Sequence, residues 1–360
     1  MKYALIGCGR ISVNNIQAAL NNKLEIVGIC DLLTERMKEK KEKFPDIKDV
    51  PEYIDYIEMI EKEKPELVAI ATESGEHARI ALDCIRHGIN VIIEKPIALS
   101  MKDAKEIIEE AKKYNVKVCA NHQNRFNKAI QKMHLAIEEN KFGKIFHGTA
   151  HICWNRGKQY YDQAPWRGTW AQDGGALMNQ CIHDIDLLRW MMGNEVDEVF
   201  AYTDRLNHDF IEAEDLGVAL VKFKNGAYGM IEGTTNVYPK NLEETLYLFG
   251  ETGTCKLGGK SCNAIEAWEF KDNNPKDEEF RQLYEQTINV YGNGHGRLFA
   301  NMIDCIKNDK QPLVDARAGK RALELVLAIY KSQKEGMPVK LPLEDFASVD
   351  MIGEFADADR

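Results

Sequence analysis

The sequence predicts an α/β fold: an N-terminal doubly wound parallel (Rossmann) sheet, followed by a C-terminal α+β domain on a mostly antiparallel open sheet. Three observations lead to this prediction. Short apolar runs alternate with helical patterns over the first third of the chain. A glycine-rich turn joins the first run to the first helix. Beyond about residue 122, longer strand candidates follow one another with little helix between them. We therefore expect domains at 1–122 and 123–360.

The apolar runs of the first domain are continuous, which is typical of strands that crossover helices bury on both faces. We expect the helix after the third run to end at Gly88. The predicted strands cover 2–6, 24–30, 67–71, 90–94 and 116–120, and the predicted helices cover 11–21, 34–43, 77–87 and 101–113.

The second domain contains runs that alternate apolar and polar residues, as in Ala227–Ile231. This alternation indicates an antiparallel sheet with one covered face. Strands are predicted at 144–154, 212–223, 227–236, 243–249, 253–258 and 264–270, and helices at 181–192, 296–307 and 316–334.

The charge balance and the cysteines exclude several classes of protein. The 47 basic and 57 acidic residues give a net charge of −10, so we expect no nucleic-acid partner. The nine cysteines include no CxxC pair, which argues against a zinc cluster or a disulfide framework and favours a reducing, cytoplasmic location without a bound metal. No signal peptide precedes the first strand, and no apolar run approaches the roughly 18 residues of a membrane span.

The glycine-rich turn is the hexamer Gly7–Ser12, between the first predicted strand and helix. Gly7 permits a tight turn, Gly9 lets a pyrophosphate approach the backbone, and Ser12 is small enough for the helix to pack closely on the strand. We therefore expect the hexamer to bind a dinucleotide. The alternative is an ordinary glycine turn. The predicted cofactor contacts in the hexamer are Gly7, Gly9, Arg10, Ile11 and Ser12.

Asp31 stands at the end of the second predicted strand. A carboxylate at this place can accept hydrogen bonds from the ribose hydroxyls of NAD, and it repels the 2′-phosphate of NADP. The sequence therefore predicts NAD as the cofactor. The alternative is that Asp31 caps the helix that follows.

The segment Glu94-Lys95-Pro96, together with this turn, resembles the glucose-fructose oxidoreductase/inositol dehydrogenase (Gfo/Idh/MocA) family, and the resemblance covers essentially the whole chain. It implies an NAD-dependent dehydrogenase of a sugar or polyol. It also implies cofactor contacts at Thr72, His77, Glu94 and Lys95. Further matching segments are Gly174–Leu177 leading to His183 and Asp186, and Pro312–Val314.

The resemblance implies that Lys95 contacts the reacting hydroxyl and that His183 is a general acid/base. The chemistry agrees, because an ammonium stabilises developing alkoxide charge and an imidazole takes up a proton near neutral pH. Asp186, one helical turn after His183, is expected to orient it or to cap the helix. The alternatives are a surface lysine and a packing or capping histidine.

The sequence departs from the family at Asn179, where many relatives have an aspartate, and at Cys181, where many have a glycine. An amide cannot share a proton with His183. Asn179 is therefore expected to bind substrate hydroxyls, which leaves acid/base chemistry to His183 and Lys95.

Three segments, Trp166–Gly175, Asn179–His183 and Asn121–Phe126, are similar to a subgroup, the UDP-N-acetylglucosaminuronate 3-dehydrogenases. The resemblance implies oxidation at C3′ of UDP-2-acetamido-2-deoxy-glucuronate in bacterial polysaccharide sugar biosynthesis. It also implies a bound NAD that 2-oxoglutarate re-oxidises.

A uronate and a pyrophosphate are anions, and planar guanidinium groups suit both. Arg125 and Arg167 are therefore the predicted substrate-binding cations, and Arg156 and Lys158 are further candidates. The alternative for the two arginines is a structural salt bridge. The nearby aromatic residues, which either stack on the substrate or pack internally, are Trp154, Tyr160 and Trp166.

Three other functions stay open. One is a dehydrogenase of another sugar or of an inositol-like polyol. Another is a cofactor-binding regulator without catalysis. The third is NAD-assisted glycoside cleavage, which begins with the same oxidation. We expect no membrane partner. We expect the alternating strands of the second domain to expose a flat sheet face, and the family resemblance implies that this face pairs subunits into a homo-oligomer, either a dimer or a tetramer.

Overall fold

In the computed structural model, which describes residues 1–193, 195–272, 274–287 and 292–355, the first of two units comprises Met1–His122 and His295–Lys320. The second comprises Gln123–Gly294 and Arg321–Arg360. The division after residue 122 falls at the predicted boundary. Residues 295–320, which we had assigned to the second domain, belong to the first unit. Within the described residues, no helix has both the length and the apolar character needed to cross a bilayer.

The first unit contains a parallel sheet of six strands in the order β3-β2-β1-β4-β5-β6. The order reverses between β1 and β4, and open α/β sheets bind ligands beyond the carboxyl ends of the strands at this position. The strands are β1 Lys2–Ile6, β2 Glu25–Cys30, β3 Glu52–Tyr53, β4 Leu67–Ile70, β5 Asn90–Ile93 and β6 Val118–Ala120.

The helices that connect the strands of this sheet begin and end close to the predicted positions. The prediction missed β3 and α3, which are short. The side chain of Asp55 caps α3 by accepting a hydrogen bond from the backbone N–H of Ile57. The helices are α1 Ser12–Asn21, α2 Thr34–Lys43, α3 Tyr56–Glu63, α4 His77–Arg86 and α5 Met101–Lys113.

Residues 295–320 are held on the first unit by contacts with β1, β6 and the end of α1. The Ala120 N–H donates to the Val314 carbonyl at 3.0 Å. The Tyr3 and Phe299 rings pack with their centroids 5.8 Å apart, and the Asn22 side chain donates to the Gly296 carbonyl at 2.9 Å. These contacts explain why the segment does not belong with the second unit.

The second unit is built on eight strands in the order β13-β12-β11-β7-β10-β9-β8-β14. Neighbouring strands are antiparallel except for β7 and β10, which run parallel. The mostly antiparallel sheet is therefore confirmed. The strands are β7 Ile145–Cys153, β8 Val196–Asp204, β9 Leu216–Phe223, β10 Tyr228–Thr234, β11 Glu243–Gly250, β12 Gly253–Gly258, β13 Ala264–Phe270 and β14 Val339–Lys340.

One face of this sheet is covered by helix side chains, and small residues make room for them. A Cβ at Gly217 of β9 would lie 2.5 Å from the side chain of Leu177. On the other face β9 exposes Val218 and Leu220. The later helices are α6 Lys128–Glu138, α7 Lys158–Tyr161, α8 Ile182–Met191, α9 Glu278–Arg281, α10 Gly294–Lys307 and α11 Ala316–Glu335.

The helix predicted at 181–192 begins earlier, with a π-helical turn at Leu177–Cys181 that continues into α8. Glu214 fixes the start of this turn, because its Oε1 accepts the Leu177 N–H at 2.7 Å and lies 2.8 Å from the Tyr330 hydroxyl. A Cβ at Gly175, whose φ is +98°, would lie 1.9 Å from Oε2 of Glu214. Complete burial raises the pKa of Glu214 to about 8.

We expect Glu214→Gln to flatten part of the dependence of stability on pH. The folded-state pKa is raised, so the proton on Glu214 stabilises the fold fully below the unfolded pKa, and this contribution is lost as pH rises through about 8. The slope is at most about 1.4 kcal/mol per pH unit. Urea unfolding between about pH 5 and 9 measures it. Glu212→Gln, two residues earlier, should keep the wild-type slope, and parallel curves for wild type and Glu214→Gln would contradict the expectation.

Candidate active site

The glycine-rich turn has the geometry of a phosphate cradle. Gly7 follows β1 with a φ of +93°, and a Cβ there would lie 2.5 Å from the carbonyl carbon of Ala71. A Cβ at Gly9 would meet no atom within 4 Å, so this backbone is open to a ligand. The Ser12 hydroxyl donates to the Gly9 carbonyl at 2.6 Å, and α1 starts at Ser12 without a side-chain cap. The residues present therefore fit a dinucleotide pyrophosphate.

Asp31 is buried beyond the end of β2 and joins two loops. Its Oδ2 accepts the Cys8 N–H at 2.7 Å, and its Oδ1 accepts the Leu33 N–H at 2.8 Å. Arg36 lies 3.8 Å from Oδ2. The glycine-rich turn thus fixes the orientation of the carboxylate predicted to meet the ribose. Within the predicted hexamer, Arg10 is exposed and Ile11 is half-buried.

His77 links the segment that follows β4 to the segment that follows β5. Its Nδ1 is 2.7 Å from the Pro96 carbonyl, and its Nε2 is 3.2 Å from the Thr72 carbonyl. Burial lowers the pKa of His77, although both hydrogen bonds oppose this shift. We interpret His77 as a buried link that places Thr72 and the half-buried Lys95, rather than as a direct cofactor contact.

Glu94, just before Lys95, also has protein partners. Its Oε1 accepts hydrogen bonds from Asn15 of α1 at 2.8 Å and from Asn121, just after β6, at 2.7 Å. Burial raises the pKa of Glu94. Glu94 therefore links α1 and the segment after β6 to the end of β5, directly before Lys95 in the chain.

In the second unit, the π-helical turn and the first turn of α8 carry Asn179 and His183. His183 is 8% exposed, and its Nε2 lies 3.4 Å from the amide nitrogen of Gln123. The half-buried Asn179 donates to the carboxylate of Asp173, which accepts the Gly168 N–H at 2.7 Å. The side chain predicted to hold the substrate is thus itself held in place.

Arg125 and Asp186 form a buried bidentate ion pair, with Nε–Oδ2 at 2.7 Å and Nη2–Oδ1 at 2.6 Å. The guanidinium also lies 4.6 Å from the centre of the Trp190 ring. We had expected Arg125 to bind the substrate and Asp186 to orient His183. Each is instead the buried charge partner of the other, so we withdraw Arg125 from the substrate site.

Two arginines and three aromatic rings form what we call the Tyr160 cluster, made of Trp154, Arg156, Tyr160, Trp166 and Arg167. Arg167 lies 4.3 Å from the centre of the Tyr160 ring and 4.6 Å from that of Trp166. Arg156 lies 4.6 Å from Trp154 and 5.2 Å from Tyr160.

The Tyr160 hydroxyl accepts hydrogen bonds from Arg167 and, at 2.8 Å, from Gln180 of the π-helical turn. The cluster is therefore attached to the turn that carries Asn179. Lys158 is exposed and pairs with Asp162 at 2.8 Å. Gln123 and Gln180 are site residues that sequence reasoning missed, although both lie inside the segments that matched the nucleotide-sugar subgroup.

The chain matches two family models. Residues 1–122 match the oxidoreductase family, NAD-binding Rossmann fold, and residues 135–341 match the oxidoreductase family, C-terminal alpha/beta domain. Among curated relatives, myo-inositol 2-dehydrogenase of Thermotoga maritima is 29% identical over 349 residues, covering 95% of this chain and 98% of that protein.

Two solved structures are similar over nearly the whole chain. The WlbA dehydrogenase of Bordetella pertussis, in complex with NADH and UDP-GlcNAcA, is 36% identical with a TM-score of 0.86, covering 95% of this chain and 99% of that one. The WlbA dehydrogenase of Chromobacterium violaceum, also with NADH and UDP-GlcNAcA, is 35% identical with a TM-score of 0.87, covering 96% of each chain.

We expect alanine to have different effects at the two glycines of the turn. Gly7→Ala should destabilise the protein by about 1–3 kcal/mol, because its φ is positive and Ala71 lies in the way. Gly9→Ala should keep the stability within about 1 kcal/mol but weaken NAD binding, since its Cβ would point into open space. Thermal unfolding and NAD titration measure the two effects. Equal stability losses, or NAD binding unchanged in Gly9→Ala, would contradict this reading of the turn.

Proposed function

Because the chain belongs to the Gfo/Idh/MocA oxidoreductase family and is an NAD-dependent dehydrogenase, we propose that it oxidises C3′ of UDP-2-acetamido-2-deoxy-glucuronate. The reaction would supply a 3-keto nucleotide sugar for bacterial polysaccharide biosynthesis. The observation that carries the proposal is the Tyr160 cluster, in which two guanidinium groups and three aromatic rings lie beside the turn that holds Asn179. Anionic and flat groups occur together in a UDP-linked uronate.

NAD, when bound, supplies the hydride acceptor. Gly7, Gly9 and Ser12 would hold its pyrophosphate at the start of α1. Each oxygen of Asp31 accepts one backbone hydrogen bond, which leaves lone pairs for the ribose hydroxyls. The same negative charge disfavours the 2′-phosphate of NADP.

His183 would accept the proton of the substrate hydroxyl as the hydride leaves the carbon. The Lys95 ammonium would stabilise the negative charge that develops on the oxygen. Asn179, fixed by Asp173, would donate to or accept from a neighbouring sugar hydroxyl. Arg167 and Arg156 would face the uronate or the pyrophosphate.

The rest of the proposal concerns the assembly and the catalytic cycle. We propose a cytoplasmic homo-oligomer, a dimer or a tetramer, because β8, β9 and β10 expose Tyr202, Leu220, Tyr228 and Met230 on one face. We also propose that NAD stays bound and that 2-oxoglutarate re-oxidises it.

The second candidate is the oxidation of an inositol-like polyol. The Thermotoga maritima relative favours it, since that inositol dehydrogenase matches almost the whole chain. Such a substrate would need Lys95 and His183 but would give the Tyr160 cluster no anion to bind.

We expect Lys95→Ala to lower kcat by about 10²-fold or more with NAD binding retained, because its charge acts in the chemical step.

His183→Asn should lower kcat by about 10² to 10⁴-fold and remove the acidic limb of its pH profile, because the base is lost. Steady-state kinetics and NAD titration measure both. The control is His147→Asn, an exposed histidine whose ring stacks on Phe249. If His183→Asn keeps its rate and its pH profile, the base is another group.

The substrate should be recognised by its charge. We expect kcat/KM to be at least about tenfold higher for UDP-GlcNAcA than for UDP-GlcNAc, and Arg167→Gln to reduce that preference by about 10- to 100-fold, the range of a charge-assisted hydrogen bond. Lys158 is exposed and already paired with Asp162, so we no longer count it among the substrate-binding cations, and Lys158→Gln is the matched control. Equal use of both sugars, or indifference to the UDP group, would favour the polyol candidate.

A further inference from the structure

Two carboxyl groups and a thiol meet inside the second unit, apart from the residues given roles above. Asp184 is on α8, Glu244 on β11, and Cys262 follows β12. The sulfur of the thiol and one oxygen of each carboxyl group all lie within 4.8 Å of one another. Asp184 is 1% exposed, Glu244 2% and Cys262 0%. Two ionised carboxylates this close and this deeply buried would repel each other strongly.

The hydrogen bonds leave one oxygen of each carboxyl group for the other. Oε1 of Glu244 accepts from the Asn124 amide at 3.1 Å, and Oδ1 of Asp184 accepts from the Cys262 thiol at 3.2 Å. When both groups are treated as ionised, the buried Oε2 of Glu244 and Oδ2 of Asp184 have no hydrogen-bond partner among the described residues. The two side chains lie within hydrogen-bond reach of each other. One proton between them satisfies both oxygens.

The surrounding charges favour this protonated state. Burial is the main cause that raises the pKa of both carboxyls. The charge of Asp184 and its hydrogen bond raise the pKa of Glu244 further, whereas the hydrogen bonds with Glu244 and Cys262 lower the pKa of Asp184. The charge of Asp186 also raises the pKa of Asp184. Arg156 opposes the shift at Glu244. Burial raises the pKa of the Cys262 thiol well above its ordinary value, and the charges of Asp184, Glu244 and Glu266 raise it further.

Two amides connect this pair to His183. Since Asn124 donates its NH₂ group to Glu244, its Oδ1 is left as an acceptor, and the Gln123 amide nitrogen lies 3.3 Å from it. The same nitrogen lies 3.4 Å from Nε2 of His183. The two hydrogens of the Gln123 NH₂ group can serve these two acceptors. An amide NH₂ group can only donate, so this contact favours the His183 tautomer with no proton on Nε2.

We propose that Asp184 and Glu244 hold one proton between them and that this acid pair, through Asn124 and Gln123, keeps Nε2 of His183 unprotonated until a substrate hydroxyl replaces the Gln123 amide at the lone pair of that nitrogen. The inference rests on the proposed function for the role of His183 as the base. Asp184 and Glu244 are positioning residues, because they act on the imidazole through the two amides.

The test uses variants that imitate or prevent the shared proton. Glu244→Gln is nearly isosteric with the protonated acid, since its oxygen can accept from Asn124 and its NH₂ group can donate to Asp184. Glu244→Leu offers neither contact. We expect Glu244→Leu to lower kcat at least tenfold with little change in KM or NAD affinity, and Glu244→Gln to recover most of that loss. Glu243→Gln, at the residue before Glu244 on β11, should behave as wild type.

The tautomer of His183 separates orientation from folding. In Glu244→Leu the Asn124 amide loses the acceptor that fixes it, so the amides of residues 124 and 123 are able to turn over. The amide oxygen of Gln123 would then face Nε2 of His183 and favour a proton there. We expect ¹⁵N NMR of histidine-labelled protein, with His183→Asn to assign the signal, to show unprotonated Nε2 in wild type and Glu244→Gln and protonated Nε2 in Glu244→Leu.

Three results would overturn the proposal: a kcat for Glu244→Gln as low as that for Glu244→Leu, a proton on Nε2 in the wild type, or the wild-type tautomer in Glu244→Leu. Added Zn²⁺ that raises the Tm of wild type but not of Glu244→Gln would also overturn it, because the cluster would then be a metal site. The NMR measurement needs no substrate. If the nucleotide sugar is not oxidised but the tautomers are as expected, only the proposed function fails.

Discussion

The backbone that presents Asn179 and His183 depends on one buried carboxyl group. Glu214 accepts the first free N–H of the π-helical turn, at Leu177, and occupies the space that a side chain at Gly175 would need. The Tyr330 hydroxyl lies 2.8 Å from both Glu214 and the Gly174 carbonyl, so α11 supports the same point. A π-helical turn has a rarer hydrogen-bond pattern than an α-helix and often lies at a functional site. Here its start is determined by a side chain from another part of the chain.

Burying a carboxylate costs free energy, and the other carboxyl groups buried near the site offset this cost in different ways. A carboxylate removed from water needs a cation, several donors or a proton. Asp186 has Arg125, Glu94 has two asparagine amides, and Asp31 has two backbone N–H groups. Only the last of these solutions leaves a carboxylate beside the glycine-rich turn, where the adenosine ribose is expected.

The sequence was most informative where burial produces a regular pattern. The continuous apolar run Leu67–Ile70 and the alternation along β9 both reported the burial of their strands. β8 was missed because its pairing with β9 shifts register between Val196 and Glu198, which breaks the alternation. The helix α6 was also missed. Its signal was present in the sequence, since the buried residues Ile130, Met133 and Ala136 have helical spacing.

The site was predictable where a motif is local and not where it is assembled from distant residues. The turn from Gly7 to Ser12, the segment at Lys95 and the segment ending at His183 are each contiguous. The pairing of Arg125 with Asp186 joins residues 61 apart, and that of Asn124 with Glu244 joins residues 120 apart. No spacing in the sequence indicates such pairs, because the sheet topology brings them together.

The contacts of residues 295–320 affect how the protein is made. A chain emerging from the ribosome completes β6 long before Val314, whose carbonyl accepts the N–H of Ala120, and Phe299, which covers Tyr3, also comes late. Until then the nucleotide-binding sheet has an open edge strand and an uncovered aromatic side chain, which are features that promote aggregation. The intervening residues 123–294 must be synthesised before the first unit is closed, so the unit that begins first cannot finish folding until most of the second unit has been made.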